Sequence, residues 1–428
     1  MQSENKLLSL LPLLVFLLLY LSIGTYFYTQ GSSNAFYQFP ASSCVLIAFT
    51  VALLIGFRRI KKQIQSFLDG IRDEYVVIML LIFLLAGAFA VMMREMGGAE
   101  STVNLGLSFV PARMILPGLF VISCFISLAM GTSMGTLSAV VPIALGFAHS
   151  INVSIPLTMG VVLGGAMFGD NLSIISDTTI AATSTQKCKA RSKFKMNFKI
   201  ALPAVIIVLV ALCFVGNPQI EAKEYAFYFI KVVPYLVVFT LALLGVNVII
   251  VLITGIFLAG FIGMGMQDIT FLDFGKIIHD GFMSMTEVIF LTFFISGLSS
   301  LAAEGGGVDY ILKKLSRYIS SKKSAEFGVA ALVSLAGVCT ANNTIAIIVT
   351  GKMAKKISGH FGISPSRTAS LLDMFASSVQ GILPYGAQIL LIGSLAKISP
   401  FSVVVYSWYP VLLGISGLIS ILINHPRA

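Results

Sequence analysis

The chain has 428 residues, of which 57% are apolar and only 11% charged, and its mean hydropathy is +0.95. Soluble domains carry about 25% charged residues, so this composition excludes a soluble enzyme, a nucleic-acid-binding protein and a secreted disulfide scaffold. Apolar runs long enough to cross a hydrocarbon core of about 30 Å recur along the chain, and the alternating segments of an outer-membrane barrel are absent. The sequence therefore predicts an all-α polytopic membrane protein.

Twelve apolar segments follow in chain order and divide into two sets of six. The first set comprises residues 7–27, 39–57, 75–93, 111–149, 155–183 and 197–216, and the second comprises 226–243, 246–262, 282–302, 326–350, 366–395 and 402–423. Short matches recur between the sets: Phe67-Leu68-Asp69 returns as Phe271-Leu272-Asp273, and Thr136 returns as Thr344. We interpret the chain as two repeats, residues 1–220 and 221–428.

The basic residues predict how the two repeats are oriented. They cluster at segment ends, at 58–62, 187–199, 313–323 and 352–356, and the positive-inside rule places these clusters in the cytoplasm. Each half then needs an odd number of crossings, so the repeats are inverted and segments 111–149 and 326–350 are re-entrant hairpins. We expect about ten transmembrane helices, two hairpins, and both termini on the inner side of a bacterial cytoplasmic membrane.

Four polar stretches, 131–136, 164–179, 340–344 and 377–386, interrupt the fourth and fifth segments of each half. Unwound backbone survives at membrane depth only where protein buries it or where it lines a water-filled cavity. Paired breaks in inverted repeats indicate a transporter's substrate site near the midplane. We therefore expect the two hairpin tips to meet the breaks of two discontinuous helices, 155–183 and 366–395.

Four acidic residues, Asp170, Asp177, Glu287 and Asp373, lie deep in apolar segments, and the sequence suggests no basic residue at comparable depth. Inserting each carboxylate costs about 2.5–3.5 kcal/mol, which indicates a function. Carboxylate and hydroxyl oxygens suit Na⁺ or a proton. Structural roles stay open beside this one: Asp170 and Asp177 could cap half-helices, Asp373 and Glu287 could be cavity-facing structural acids, and polar tip residues could satisfy broken backbone.

We expect Asp170 and Asp177 to bind Na⁺ and to carry the proton, because two carboxylates in a partly desolvated site make the two cations compete for the same oxygens. Neighbouring hydroxyl, amide and acidic side chains complete the predicted shell. The predicted ion-binding residues are Asp170, Asp177, Ser173, Ser176, Thr178, Asn171, Thr132, Ser133, Thr136, Asn342, Asn343, Thr344, Asp373, Gln380 and Glu287. The G-x-x-x-G spacings at Gly131/Gly135, Gly160/Gly164 and Gly165/Gly169 predict close helix packing.

The stretch Gly169-Asp170-Asn171-Leu172-Ser173, followed by Ser176-Asp177-Thr178-Thr179, resembles the G-D-x-x-S-x-x-S-D-T signature of NhaC-type sodium:proton antiporters. The tip sequence Thr340-Ala341-Asn342-Asn343-Thr344 is similar to the Ser-Asn-Thr hairpin tips of sodium-coupled carboxylate carriers. The resemblance implies an ion-transporter fold of inverted repeats that exchanges internal Na⁺ for external H⁺ by alternating access. It implies no cofactor. The expected partners are Na⁺ and H⁺ as substrates and the lipid bilayer, with no nucleic acid. A homodimer is a possible assembly.

Three other functions remain open. A Na⁺- or H⁺-coupled transporter of a small organic acid or amino acid would use the same fold; the lack of a deep Arg or Lys weighs against it, and the Asn342-Asn343 tip favours it. An intramembrane aspartyl protease would need a G-x-G-D pattern, but Met167 stands where its first glycine belongs. A channel would need a continuous polar path rather than paired breaks.

Overall fold

The computed structural model describes residues 8–30, 38–55, 59–174, 176–215, 226–307, 310 and 319–426, and within these ranges it contains α-helices and no β-strand. The helices of the first half are α1 Leu11–Thr29, α2 Ala41–Ile55, α3 Ile60–Ile71, α4 Glu74–Glu95, α5 Gly98–Phe109, α6 Ile115–Met130, α7 Ser133–Ser150, α8 Ile155–Leu172, α9 Asp177–Gln186 and α10 Ala190–Phe214. Those of the second half are α11 Phe229–Leu243, α12 Val248–Gly265, α13 Phe271–Ser284, α14 Thr286–Glu304, α15 Lys322–Thr340, α16 Asn343–His360, α17 Pro365–Gln380, α18 Ala387–Ala396, α19 Pro400–Val405 and α20 Trp408–Leu422.

Many large apolar side chains lie on the exterior of the described chain. In the described part of the chain, seven helical stretches are long and apolar enough to cross a membrane, and six shorter apolar helices accompany them. Large apolar side chains such as Leu18, Phe125, Phe214 and Phe261 are exposed, as expected where lipid rather than water surrounds the protein. The predicted all-α polytopic membrane fold is confirmed, and each predicted segment corresponds to a helix or to two consecutive helices. Most of the predicted basic cluster at 313–323 lies outside the described residues.

Two helical hairpins occupy the predicted positions. α6 packs against α7, and α15 packs against α16. The chain reverses at Gly131 in the first hairpin and at Ala341 in the second, both with left-handed backbone (φ 69° and 51°) followed by an extended residue. The second hairpin extends to His360 rather than to residue 350, because the helix continues through the basic stretch at which the apolar run ends.

Two discontinuous helices lie beside the hairpins. The first consists of α8 and α9, and the second of α17 and α18. α8 and α17 begin alike: Ser154 and Ser364 accept a hydrogen bond from a backbone N–H three residues on, and a proline occupies one of the first two helical positions. Each discontinuous helix therefore has a fixed start and an interruption within it.

Helix boundaries recur 210 residues apart in the two halves. α7 covers 133–150 and α16 covers 343–360, while α9 covers 177–186 and α18 covers 387–396. The starts of α8 and α17, and of α10 and α19, differ by the same number. Lys187 and Lys397, at the ends of α9 and α18, both adopt left-handed backbone (φ 57° and 53°). Several helix boundaries and one left-handed helix end therefore recur at a single offset in the two halves of the chain.

The predicted close packing is present along α8. A Cβ atom at Gly165 would collide with the carbonyl oxygen of Phe120, and one at Gly169 would collide with that of Cys124, both on α6. A Cβ atom at Gly160 would meet the backbone of Tyr406. Gly131 instead ends α6 at the hairpin tip. Glycines thus hold α8, which is buried along nearly its whole length, against its neighbours.

Candidate ion-binding site

A cavity of about 60 Å³ lies where both hairpin tips meet both helix breaks. The first residues of four helices, α7, α9, α16 and α18, line it. Its lining residues are Ile78, Met79, Ile82, Gly131, Thr132, Ser133, Met134, Asp170, Asp177, Thr178, Asn342, Asn343, Thr344, Gln380, Ala387 and Gln388. The cavity is large enough for a small cation with a few waters but smaller than the ~300–1,000 Å³ pockets that hold small molecules.

Asp170 joins the first helix break to the first hairpin tip. Its side chain is buried (7% exposed), and its Oδ2 accepts hydrogen bonds from the Oγ of Ser133 at 2.8 Å and from the backbone N–H of Ser133 at 3.3 Å. Thr132, at the N-cap of α7, makes no side-chain capping bond. The carboxylate of Asp170, on α8, therefore accepts from a free backbone N–H group at the N-terminus of α7. The dipole of α7 favours a negative charge at this end.

Asp177 is the first residue of α9 and also lines the cavity, but its side chain is exposed. The Oγ of Ser176 caps this helix by accepting from the backbone N–H of Thr179 at 3.2 Å. Because Ser176 provides the cap, the carboxylate of Asp177 is not needed for it. Asp170 and Asp177 thus contribute one buried and one accessible carboxylate to the same cavity.

The second hairpin tip uses its asparagines for its own backbone. Asn342 Oδ1 accepts from the backbone N–H of Ile345 at 2.9 Å, and Asn343 Oδ1 accepts from that of Thr344 at 3.0 Å. Asn342, Asn343 and Thr344 all line the cavity while making these bonds. The tip asparagines therefore accept hydrogen bonds from backbone N–H groups that have no helical partner, which is the structural role that the sequence left open for them.

Two glutamines connect the second helix break to both tips. Gln380, the last residue of α17, donates from Nε2 to the carbonyl oxygen of Ala341 at 3.0 Å and to Oε1 of Gln388 at 2.9 Å. Gln388, in the first turn of α18, donates from its own Nε2 to the Oγ of Ser133 at 3.2 Å. The residues around Asp170 therefore belong to one hydrogen-bonded group that spans both halves of the chain.

Asp373 does not line the cavity. It is fully buried on α17 and forms an ion pair with Lys193 of α10, which is only 1% exposed. Its Oδ2 also accepts from the side-chain amides of Asn171, at 3.0 Å, and Asn197, at 2.8 Å. The lysine further donates to the carbonyl oxygen of Asn171, at 2.7 Å, and to Oγ1 of Thr179, at 2.6 Å, so it bridges the two sides of the first helix break.

Nine of the fifteen predicted site residues line the cavity. They are Thr132, Ser133, Asp170, Asp177, Thr178, Asn342, Asn343, Thr344 and Gln380. Asn171 and Asp373 lie together behind it, whereas Ser173, Ser176 and Thr136 are buried and bond to nearby backbone or hydroxyl groups. Glu287 is placed elsewhere: it lies in the first turn of α14 with an exposed side chain.

The expectation that no basic residue lies deep in the protein is wrong. Lys193 and Arg367 are both buried, and Arg367 pairs with buried Glu326 at 2.8 Å. The place of Lys193 in the basic cluster 187–199 predicts a position at the membrane surface, but this residue shares a helix face with the buried residues Met196, Asn197 and Ile200. That i, i+3, i+4, i+7 spacing is the sequence signal that could have located it. None of the cavity-lining residues is basic, so the cavity itself carries only the two carboxylates.

Known proteins and one family model are similar to this chain over most of its length. A family model described as the Na⁺/H⁺ antiporter family matches residues 4–217 and 221–424. The Na⁺/H⁺ antiporter NhaC of Bacillus subtilis (strain 168) is 26% identical over 428 aligned residues, covering 90% of this chain and 91% of that protein. The malate-2H⁺/Na⁺-lactate antiporter of the same organism is 22% identical, with 90% of each chain covered.

A solved structure, that of the YdaH transporter of Alcanivorax borkumensis, is similar with a TM-score of 0.44 and 12% sequence identity. The similarity covers 86% of this chain and 88% of the YdaH chain.

Proposed function

Because the chain belongs to the Na⁺/H⁺ antiporter family, we propose that Na⁺ and H⁺ exchange at the cavity between the hairpin tips, with Asp170 as the group for which they compete. The observation that carries this proposal is the place of Asp170: a buried carboxylate in a small cavity whose lining residues include a second acid and no base. A desolvated carboxylate needs a cation, and either a proton or Na⁺ can supply the charge.

Asp177 has a different role in this proposal. Its carboxylate is accessible and lines the same cavity, so it attracts the incoming cation and offers oxygen ligands at the entrance. The hydroxyls of Thr132, Ser133 and Thr178 are near enough to replace part of the water that Na⁺ loses. When one cation occupies the site, the other is excluded. This competition couples the Na⁺ flux to the H⁺ flux without nucleotide hydrolysis.

Asp373 and Lys193 support the site from behind. With its Oδ2 engaged by a lysine and two amides, Asp373 is not free to bind Na⁺ through that oxygen. The pair instead fixes the ends of α8 and α9 relative to α17, and so holds the break in which Asp170 and Asp177 lie. Because Asp373 does not line the cavity, we assign it a positioning role.

The two halves, residues 1–220 and 221–428, form inverted repeats in this proposal, and alternating access results from their relative movement. Helix boundaries that recur 210 residues apart support the duplication. The site lies between the halves, since α7 and α9 come from the first and α16 and α18 from the second. A cation bound in this cavity is accessible from the side of the membrane toward which the two halves open.

Proton flux in proteoliposomes tests the proposal. Asp170→Asn removes the charge but keeps the shape, and we expect Na⁺-driven proton movement, followed with a pH-sensitive dye, to fall to the level of protein-free liposomes. The control is Asp69→Asn, since Asp69 lies on exposed α3 away from the cavity, and its flux should be unchanged. Intact exchange in Asp170→Asn would show that another group carries the ions.

A second candidate function has one observation in its favour. Four helix N-termini line the cavity, and such ends bind the carboxylates of organic substrates. The same dye assay, with Na⁺, K⁺, malate, lactate and arginine supplied one at a time, separates the two functions. Proton flux that Na⁺ alone supports favours ion exchange, and flux that requires an organic solute favours the coupled transporter.

A further inference from the structure

The hydrogen bonds around the cavity form one continuous line from the second hairpin tip to Asp170. It runs from the carbonyl oxygen of Ala341 through Gln380 and Gln388 to Ser133, and then to Oδ2 of Asp170, with successive distances of 3.0, 2.9, 3.2 and 2.8 Å. Except for Ala341, at 9%, each of these residues is less than 9% exposed. The line crosses from the second half of the chain to the first between Gln388 and Ser133.

The direction of donation along this line is fixed by its first member. A backbone carbonyl can only accept, so the Nε2 of Gln380 must face Ala341, and this amide also donates to Oε1 of Gln388. Gln388 then has only its N–H groups left for Ser133. The serine hydroxyl, which has a single proton and accepts from Gln388, donates that proton to Asp170.

This one-way line favours the ionised carboxylate. A charge-assisted hydrogen bond to Oδ2 stabilises Asp170 when it is negative. A protonated Oδ2 would have to donate to the hydroxyl oxygen of Ser133, and the hydroxyl proton would then lose Asp170, the acceptor that the described residues provide for it. Gln388 occupies the other lone pair of that oxygen and so holds the hydroxyl proton toward Asp170; without Gln388 this preference for the ionised carboxylate weakens. We propose that Gln388 is a positioning residue that aligns Ser133 and thereby sets the pH range over which Na⁺ competes with protons at Asp170. The inference rests on the proposed function of Asp170.

The other charged groups that act on Asp170 are not part of this line. They are Asp373 on α17, whose charge is paired with Lys193 on α10, and Asp177 on α9. The only charged residues among those that line the cavity are the two acids, Asp170 and Asp177. Replacing Gln388 leaves all of these groups in place, so a change in the pH profile reports on the orientation of Ser133.

The helix correspondence explains why an amide occupies this place in the second half. Position 380 lies 210 residues after 170, so Gln380 is the counterpart of Asp170. A carboxylate at 380 could not donate to Ala341 and Gln388 together, and the line would lose its direction. The amide in the second half thus determines the hydrogen bonding of the acid in the first.

Gln388→Met tests the inference, because methionine has a similar length but no hydrogen-bonding amide. In proteoliposomes we expect the apparent KM for Na⁺ at neutral pH to rise about three- to tenfold, with the maximal rate changed less than about twofold, and the pH profile to move about 0.5–1 unit to higher pH. The sign follows because a less stabilised carboxylate stays protonated to higher pH and excludes Na⁺ there.

The matched control is Gln186→Met. Gln186 is also a buried glutamine (2% exposed) that joins the two halves, by donating to the carbonyl oxygen of Gly351 at 2.9 Å, but it makes no contact with Asp170's hydrogen-bonded line. Its pH profile and KM should equal those of the unmodified protein. A Gln388→Met profile equal to that of Gln186→Met, while Asp170→Asn abolishes exchange, would overturn the role of Gln388 and leave the proposed function standing.

Ser133→Ala provides a second route that does not depend on the folding of Gln388→Met. Losing the hydroxyl should move the pH profile to higher pH, and an unmoved profile would contradict the inference. Where Gln388→Met folds, it should add no further shift in the Ser133→Ala background. Additive shifts in the double variant would contradict the inference. If Asp170→Asn retains exchange, both the proposed function and the inference fail.

Discussion

Lys193 shows how a single buried cation supports a site made of carboxylates. It neutralises Asp373 and at the same time donates to Asn171 and Thr179, one on each side of the first helix break. The backbone carbonyl of Asn171 has no helical partner at the end of α8, and it accepts hydrogen bonds from Lys193 and from Nδ2 of Asn197 instead. Lys193 thus neutralises a buried carboxylate and helps to pair a carbonyl group at the helix break, which explains its burial.

At this scale we predict that Lys193→Met destabilises the protein by about 3–5 kcal/mol, because Asp373 is left as an uncompensated buried charge. Thermal unfolding of the detergent-purified protein measures the loss. The double variant Lys193→Met/Asp373→Asn should recover much of it, since no unpaired charge then remains. Lys195→Met, at an exposed position two residues away, is the control and should change stability by less than about 0.5 kcal/mol. Equal Tm values for Lys193→Met and Lys195→Met would contradict the structural role.

Helix α8 can carry Asp170 to the cavity only because its glycines let it approach α6. Gly165 and Gly169 face backbone atoms of α6 at distances that leave no room for a side chain. Close approach of this kind is how helices associate in a membrane, where no hydrophobic force drives them together. The position of the proposed ion site therefore depends on the packing of α8 against α6.

At the element scale we predict that Gly169→Ala lowers stability by about 1–3 kcal/mol, since the new methyl group collides with the carbonyl oxygen of Cys124. Melting of the purified protein measures this loss. Gly118→Ala, on α6, is the matched control because nothing lies within 4 Å of the added Cβ, so its stability should be unchanged or slightly higher. A Gly169→Ala protein as stable as Gly118→Ala would show that α8 can move aside without cost.

The sequence predicts the helical segments, hairpin tips and breaks well because each has a local signal. Apolar runs predict α8, and the polar stretch after Gly169 predicts its end. The roles of Lys193 and Gln388 could not be predicted in the same way. Lys193 lies in sequence among exposed lysines. Only its helical spacing from buried residues on the same face distinguishes it from them. Gln388 acquires its role from Ser133, 255 residues away, and no local pattern reports such a pairing.

The whole molecule is a multi-pass membrane protein, and we propose that it lies in the bacterial cytoplasmic membrane with both termini inside. The basic clusters at 58–62, 187–199 and 352–356 support this orientation through the positive-inside rule. In the same orientation α4 ends on the outer side, at Glu95.

Thiol labelling of intact cells tests this orientation. In a variant without the native cysteines, an impermeant maleimide should label Glu95→Cys from outside and Lys61→Cys only after permeabilisation. Both positions lie at described helix ends with exposed side chains, so labelling depends on the side of the membrane. The opposite pattern would invert the proposed topology.

The equal spacing of helix ends in the two halves also has a consequence for direction. Positions 170 and 380 correspond, yet one is an acid and the other an amide. Both carboxylates that line the cavity come from the first half. The cavity is therefore asymmetric, and a cation meets a different sequence of contacts when it enters from the cytoplasm than when it enters from the exterior. Such a transporter can bind the same ion with different affinity when it is open to the cytoplasm and when it is open to the exterior, although several helices of its two halves match in length.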